Sequence, residues 1–262
     1  MKLTFLGTGS AKYKKTPECE IPEGRRRCSS LLIDGTVQLD VPIHTFDYCE
    51  KLGYDPRLVT DIFLTHSHPD HFYKETLMRY AAECKSPLRF WCHKTAVQYL
   101  KFTDEELAAI ELRTFETLVP FEINGMKVIA LPANHVAGKE EVATNYIFER
   151  DGKRLFYALD SGAIRAEAWN YIYHTPVVMD CVVYDTTVGE DGGNFRLGSH
   201  TSIPMLRIIV SAFRQNNVIA PDGKFIASHI GQHIHSVDMD ETERILGEFG
   251  VIMARDGLEL DV

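Results

Sequence analysis

Apolar and polar residues alternate through Lys2-Leu3-Thr4-Phe5-Leu6, which predicts a half-buried strand closing in Gly7-Thr8-Gly9-Ser10. The two glycines have neither phosphate-loop nor dinucleotide spacing and read as a tight turn. After a polar, basic stretch from Ala11 to Cys28, Ser29–Ile33 and Val37–Leu39 predict two strands around the turn Asp34-Gly35. A helix over Pro42–Leu52 stopped by Gly53, a strand over Ile62–Leu64, a helix over Phe72–Cys84 and a strand over Leu88–Cys92 follow. Lys94–Leu100 and Asp104–Ile110 read as helices, the second opened by Thr103 with Glu106 three residues on, the spacing of a capping box. The middle of the chain is rich in strands: Leu112–Leu118, Phe121–Ile123 and, after Asn124-Gly125, Met126–Leu131. Thr144–Glu149 and Arg154–Leu159 form a hairpin through Asp151-Gly152. Val177–Tyr184 (strand), Thr201–Arg214 (helix), Phe225–Ala227 (strand), Met239–Phe249 (helix) and strands near Val251 and Leu258 complete the pattern.

No repeat, low-complexity linker or charge block divides the 262 residues, so a single domain over 1–262 is expected. Hairpins in both halves with helices between them predict an α/β protein of two sheets packed together and covered by helices outside. A hydrophobic share of 45% beside 25% charged residues is ordinary for a soluble globular chain. Nothing approaches the roughly 18 apolar residues of a membrane span, and the apolar start is too short for a signal peptide. Six cysteines (Cys19, Cys28, Cys49, Cys84, Cys92, Cys181) without a C-x-x-C pair read as reduced thiols of a cytoplasmic protein. With 28 basic against 37 acidic residues the net charge is −9, which argues against a nucleic-acid partner. A small phosphate ester is not excluded, because metal ions can supply positive charge locally. The basic run (Lys12, Lys14, Lys15, Arg25, Arg26, Arg27) reads first as solvated surface and second as a loop closing over an anion.

The candidate chemistry begins at Thr65-His66-Ser67-His68-Pro69-Asp70-His71, where four metal-ligand side chains fall within six positions behind an apolar strand. A turn through Ser67 and Pro69 lets His66 and His68 converge on one ion while Asp70 and His71 reach a neighbouring one. His135, Asp160 and His229 each follow an apolar strand as well. Together they make six or seven ligands from four strand ends, enough for two ions bridged by one carboxylate.

On these residues the chain resembles the metallo-β-lactamase superfamily. Phe5-Leu6-Gly7-Thr8-Gly9, the H-x-H-x-D-H of His66 to His71, and the later His, Asp and His recur in that order. The resemblance implies the four-layer αβ/βα sandwich and two divalent ions, zinc or manganese. It implies that His66, His68 and His135 hold one ion, that Asp70, His71 and His229 hold the other, and that Asp160 bridges both. Asp40 would support the ligand histidines from behind. Within the superfamily the chain looks most like PhnP-type phosphodiesterases, in which a histidine at the position of His200 acts on the phosphate or its leaving group. The implied reaction is hydrolysis of a small, cyclic phosphate ester by a hydroxide shared between the ions, with Asp70 and His200 as catalytic residues.

There is one departure from that group. Its cysteine cluster for a structural zinc is reduced here to Cys19 and Cys28, and Gln232 stands where a completing histidine would be, so no third zinc is expected. His233 and His235 read as supporting or surface residues. The competing readings are a tRNA 3′-processing endonuclease, disfavoured by the acidic charge, a thioester or lactam hydrolase on the same metal core, and a non-catalytic metal-binding protein. No membrane partner is expected, and a homodimer is one assembly the sequence allows.

Overall fold

The computed structural model describes residues 1–10, 25–192, 194–231, 233–235 and 237–262; Lys12, Tyr13, Lys14, Lys15, Cys19 and Gln232 lie outside them. In chain order the elements begin with β1 (Lys2–Gly7), β2 (Ser30–Ile33), β3 (Val37–Leu39), α1 (Thr45–Lys51), β4 (Asp61–Phe63) and α2 (Lys74–Glu83). They continue with β5 (Arg89–His93), α3 (Val97–Leu100), α4 (Asp104–Ala108), β6 (Glu111–Phe115), β7 (Phe121–Ile123), β8 (Met126–Val136), β9 (Val142–Arg150) and β10 (Lys153–Ala158). The chain closes with α5 (Ala166–His174), β11 (Met179–Asp185), α6 (Ile203–Gln215), β12 (Ile219–Ser228), α7 (Met239–Gly247), β13 (Val251–Met253) and β14 (Glu259–Asp261).

Two compact units result, each with its own sheet. The first comprises Met1–Glu116, Ala137–Val142 and Arg255–Asp261. Its seven strands run in the order β14-β1-β2-β3-β4-β5-β6, antiparallel up to β3 and parallel from β3 to β6. Ile62, Leu64, Phe90 and Cys92 pack with Phe46 and Cys49 of α1 and Leu77 and Tyr80 of α2, all buried. The second unit comprises Thr117–Val136 and Ala143–Ala254. Its order is β13-β12-β11-β10-β9-β8-β7, parallel from β10 to β13 and antiparallel between β9 and β10 and between β7 and β8. There Phe156, Val182 and Phe225 of the sheet meet Ile172 of α5, Leu206 and Phe213 of α6 and Leu246 of α7. Both sheets are mixed and carry helices, as the strand and helix pattern predicts.

The predicted elements recur with shifted ends. Thr103 caps α4 with the expected reciprocal bonds to Glu106. The helix expected from Lys94 shrinks to Val97–Leu100, because His93 to Ala96 form a turn in which the Ala96 N–H donates to the His93 carbonyl. β8 runs on past Leu131 to Val136, carrying Pro132. The helix α5 (Ala166–His174) has no counterpart in the sequence reading; it buries Ala168 and Ile172, with Trp169 and Tyr171 packed against the same core. The five described cysteines are free thiols, and burial pushes Cys92 and Cys181 up to about 12. Among the described residues no helix is long and apolar enough to cross a membrane.

One ion pair in the first unit gives a stability prediction. Asp61, fully buried, opens β4 and accepts from Arg89 (Nε 2.7 Å, Nη2 2.6 Å), Trp91 Nε1 (2.8 Å) and Thr60 Oγ1 (2.8 Å). Burial alone would raise its pKa, but these hydrogen bonds overcome it and leave the carboxyl below its ordinary value. An unfolded aspartate titrates near ~3.9, so the pair's contribution is complete above about pH 4 and is lost as pH falls through the lowered folded value. Asp61→Ala is expected to cost about 2–4 kcal/mol in urea unfolding at pH 7, less than for a fully buried pair because Arg89 is partly exposed. The loss should shrink below pH 4; a pH-independent loss contradicts this account.

Candidate functional site

Four of the seven expected ligands lie in the first unit and three in the second. In the first, β4 delivers the chain to Thr65, and the N–H groups of His71 and Phe72 both donate to the His68 carbonyl at 2.9 Å, closing the motif into a tight turn. Asp40, just after β3, has a left-handed φ of 57°, a conformation aspartate tolerates better than most residues. From there its carboxylate accepts from the Thr65 N–H (2.8 Å), the Thr65 hydroxyl (2.9 Å) and His71 Nδ1 (2.7 Å). Burial pushes the Asp40 carboxyl up, and His71 and Thr65 act against the rise.

This network sets the tautomers. His71 Nδ1 donates to Asp40, so His71 Nε2 bears a lone pair, 3.7 Å from Asp70 Oδ2. The Thr65 hydroxyl donates to Asp40 and so accepts from His66 Nδ1 at 3.0 Å, which leaves the His66 Nε2 lone pair 2.8 Å from His68 Nδ1. His68 Nδ1–H can donate to the His66 lone pair, whereas the His71 lone pair and the Asp70 carboxylate repel unless a proton or a metal cation lies between them.

In the second unit, Asp160, Asp185 and His229 lie at the carboxyl ends of β10, β11 and β12, three adjacent parallel strands, where α/β sheets commonly assemble their sites. Asp160 and His229 are left-handed, with φ of 46° and 58°. Non-glycine residues in this region cost about 1–3 kcal/mol each, and such strain clusters at functional positions. His135 lies at the end of its strand, as expected, being the penultimate residue of β8. Its Nδ1 lies 3.0 Å from the Ser199 carbonyl, an acceptor only, so Nδ1 carries the hydrogen and the Nε2 lone pair faces Asp160 Oδ1 at 3.6 Å. The other carboxylate oxygen, Oδ2, lies 3.1 Å from His229 Nε2. Asp160 therefore turns one oxygen to each of two histidines. A buried carboxylate with one oxygen toward each of two imidazole nitrogens is a donor set that suits divalent ions.

His200 joins this second set. It follows a short 3-10 turn (Phe195–Gly198), lies 3.9 Å through Nδ1 from Asp160 Oδ1, and stacks its ring on His229 at 5.8 Å between centroids. Its Nδ1 donates to Asp185 Oδ2 at 2.8 Å. Asp185 is fully buried and also accepts backbone N–H groups of Thr187 (2.8 Å), Thr201 (3.1 Å) and Ser161 (3.3 Å). Asp160, Asp185, His200 and His229 place one donor atom each within 4.8 Å of one another. Sequence reading missed Asp185, although an apolar run ending in aspartate, Cys181-Val182-Val183-Tyr184-Asp185, is the signal that marked Asp160.

His235 lies 3.1 Å from the Thr186 carbonyl and His233 is exposed, in line with supporting and surface parts. Within the basic run, Arg26 is buried and donates to Thr8 Oγ1 (2.7 Å), and Arg27 lies over the Tyr48 ring at 3.4 Å. Those two arginines are engaged in the first unit's own packing; Arg25 is exposed.

A family model described as a beta-lactamase superfamily domain matches residues 31–230. No curated protein matches the chain by sequence. Among solved structures, the chain is similar to a diphosphatase from the PhnP family, at 20% identity and a TM-score of 0.73 over 99% of this chain and 96% of that one. It is similar to zinc-bound PqqB from Methylobacterium extorquens, at 17% identity and a TM-score of 0.72 over all of both chains. The human tRNase Z, short form, is a further likeness, at 16% identity and a TM-score of 0.68 over 100% and 99%. At these identities the likeness is one of fold, and it is the αβ/βα fold that the order of motifs implied.

Proposed function

The chain belongs to the β-lactamase superfamily, and from that premise we propose that this hydrolase is a phosphodiesterase acting on a small, cyclic phosphate ester with two divalent ions bound. In this reading His66, His68 and His135 hold one ion, Asp70, His71 and His229 hold the other, and Asp160 serves both. The two-sided presentation of Asp160 to His135 and His229 supports a shared carboxylate. Likeness to a diphosphatase of the PhnP family points the same way. The observation that carries the phosphodiester assignment is His200, an imidazole beside the expected ligands but held by Asp185 as a proton donor would be.

When bound, such ions lower the pKa of a water from 15.7 towards about 7 and neutralise charge on the phosphoryl oxygens. Asp70, partly exposed at the motif turn, orients the attacking water through its carboxylate. His200 keeps Nδ1–H on Asp185 and carries the transferable proton at Nε2, where it is given to the departing oxygen. The Asp185 carboxylate stabilises the imidazolium that this requires.

Protein loaded with manganese or zinc is expected to hydrolyse bis-p-nitrophenyl phosphate and a cyclic ribose phosphate, and to lose both activities on dialysis against a chelator. Loaded protein that leaves both esters intact overturns the assignment. Cleavage of precursor tRNA or of a thioester in the same assay would favour the competing readings.

A further inference from the structure

We propose that Glu141 is a positioning residue that fixes the two ligand histidines His66 and His68 by gripping Ser67 between them; this rests on the metal centre of the reading above. Glu141 is 74 residues from Ser67 in sequence and 8% exposed, and its carboxylate meets Ser67 twice. Oε1 accepts the Ser67 N–H at 2.7 Å and Oε2 accepts the Ser67 hydroxyl at 2.6 Å, while Oε2 also takes the Gly138 N–H at 3.0 Å. On the other side of His66, the Thr65 N–H goes to Asp40 at 2.8 Å. The two backbone amides flanking His66 are thus each held by a buried carboxylate, Asp40 before it and Glu141 after it. Asp40 fixes His66 and His71 through Thr65 and directly; Glu141 fixes the step from His66 to His68.

The segment that brings Glu141 to this place is itself pinned. The Glu140 N–H donates to the Tyr99 hydroxyl at 3.0 Å, and the Val142 N–H donates to Thr95 Oγ1 at 2.9 Å. A Cβ on Gly138 would come within 2.4 Å of the Tyr99 ring, so only glycine lets the segment lie this close. A buried carboxylate carries a large desolvation cost unless its lone pairs are used, and three N–H or O–H donors use them here. Such a carboxylate, set by a rigid segment on the peptide between two ligands, limits how the two imidazoles can turn relative to one another.

Loss of a partner that orients metal ligands typically weakens metal binding by about 10–100-fold. The test measures zinc affinity by chelator competition and the visible spectrum of the cobalt(II)-substituted protein. Glu141→Ala is expected to weaken zinc binding within that range and to change the cobalt spectrum. Ser67→Ala, which keeps the amide bond, should lose less. The double variant should be no weaker than Glu141→Ala alone, because both changes remove one coupled interaction. A Glu141→Ala protein that binds zinc as tightly as the parent with an unchanged cobalt spectrum overturns the proposal, as does strict additivity with Ser67→Ala. Should Glu141→Ala not fold, Glu141→Gln is measured the same way: it keeps the volume and one acceptor, and an affinity equal to the parent's overturns the proposal. Absence of ester hydrolysis by the parent would sink the phosphodiesterase reading without touching these affinities, whereas a parent that binds no zinc overturns both.

Discussion

In the proposed two-ion phosphodiesterase, Asp160→Asn is expected to reduce ester hydrolysis to on the order of 10⁻³ of the parent rate and the bound ions from two to one at most. The two oxygens of Asp160 face different histidines, His135 at 3.6 Å and His229 at 3.1 Å. Asparagine keeps the shape of the side chain but replaces one oxygen with an NH₂ that cannot ligate, and it removes the negative charge that balances the cations. The backbone should tolerate the change, since asparagine accepts a left-handed φ of 46° as readily as aspartate does. Loss of activity would then report on the carboxylate rather than on folding, which circular dichroism of the metal-free variant would verify. Metal content by elemental analysis alongside turnover is the measurement. A variant that keeps two ions and a parent-like rate removes Asp160 from the centre.

The residues of this site differ in how plainly the sequence announced them, and the reason is distance along the chain. His66, His68, Asp70 and His71 were legible because one turn carries all four, and the turn follows an apolar strand. Asp160 and His229 were legible because parallel strands present their carboxyl ends to one edge, and a polar residue closing an apolar run marks such an end. His135 was legible as a polar residue at the end of an apolar run, although β8 continues past Pro132 to Val136 rather than ending at Leu131. Past Val128 no register pairs β8 with β7, so the missing N–H of a proline there breaks no bond of that ladder. Asp185 carried the same signal as Asp160, an apolar run ending in aspartate, and stands at the end of the adjacent parallel strand. Glu141 could not have been read at all, because its partner Ser67 lies on another element and nothing in Lys139-Glu140-Glu141 sets it apart from a solvated acidic loop. The expected ligands and Asp40 follow from local pattern, whereas the contact of Glu141 with Ser67 depends on tertiary approach, which local pattern does not encode.

His200→Ala should lower the turnover number by about 10²–10⁴-fold while leaving both ions in place, and this separates a proton donor from a ligand. The imidazole has Nδ1 committed to Asp185 at 2.8 Å, and Asp185 is held in turn by three backbone N–H groups. A ring anchored in this way presents Nε2 in one direction only, so proton delivery to the leaving oxygen needs no search among rotamers. Two consequences distinguish this from a packing role. The defect should be largest for poor leaving groups such as a ribose oxygen and smallest for p-nitrophenolate, which departs without a proton. Asp185→Asn, which retains hydrogen bonding but not the charge that stabilises the imidazolium, should reproduce part of the same leaving-group dependence with the ions still bound. Kinetics on a series of esters of graded leaving-group basicity, with metal content measured on the same samples, decide the matter. An equal loss across the series, or loss of an ion from His200→Ala, would make His200 a structural residue or a ligand, and the proton would then have to come from solvent.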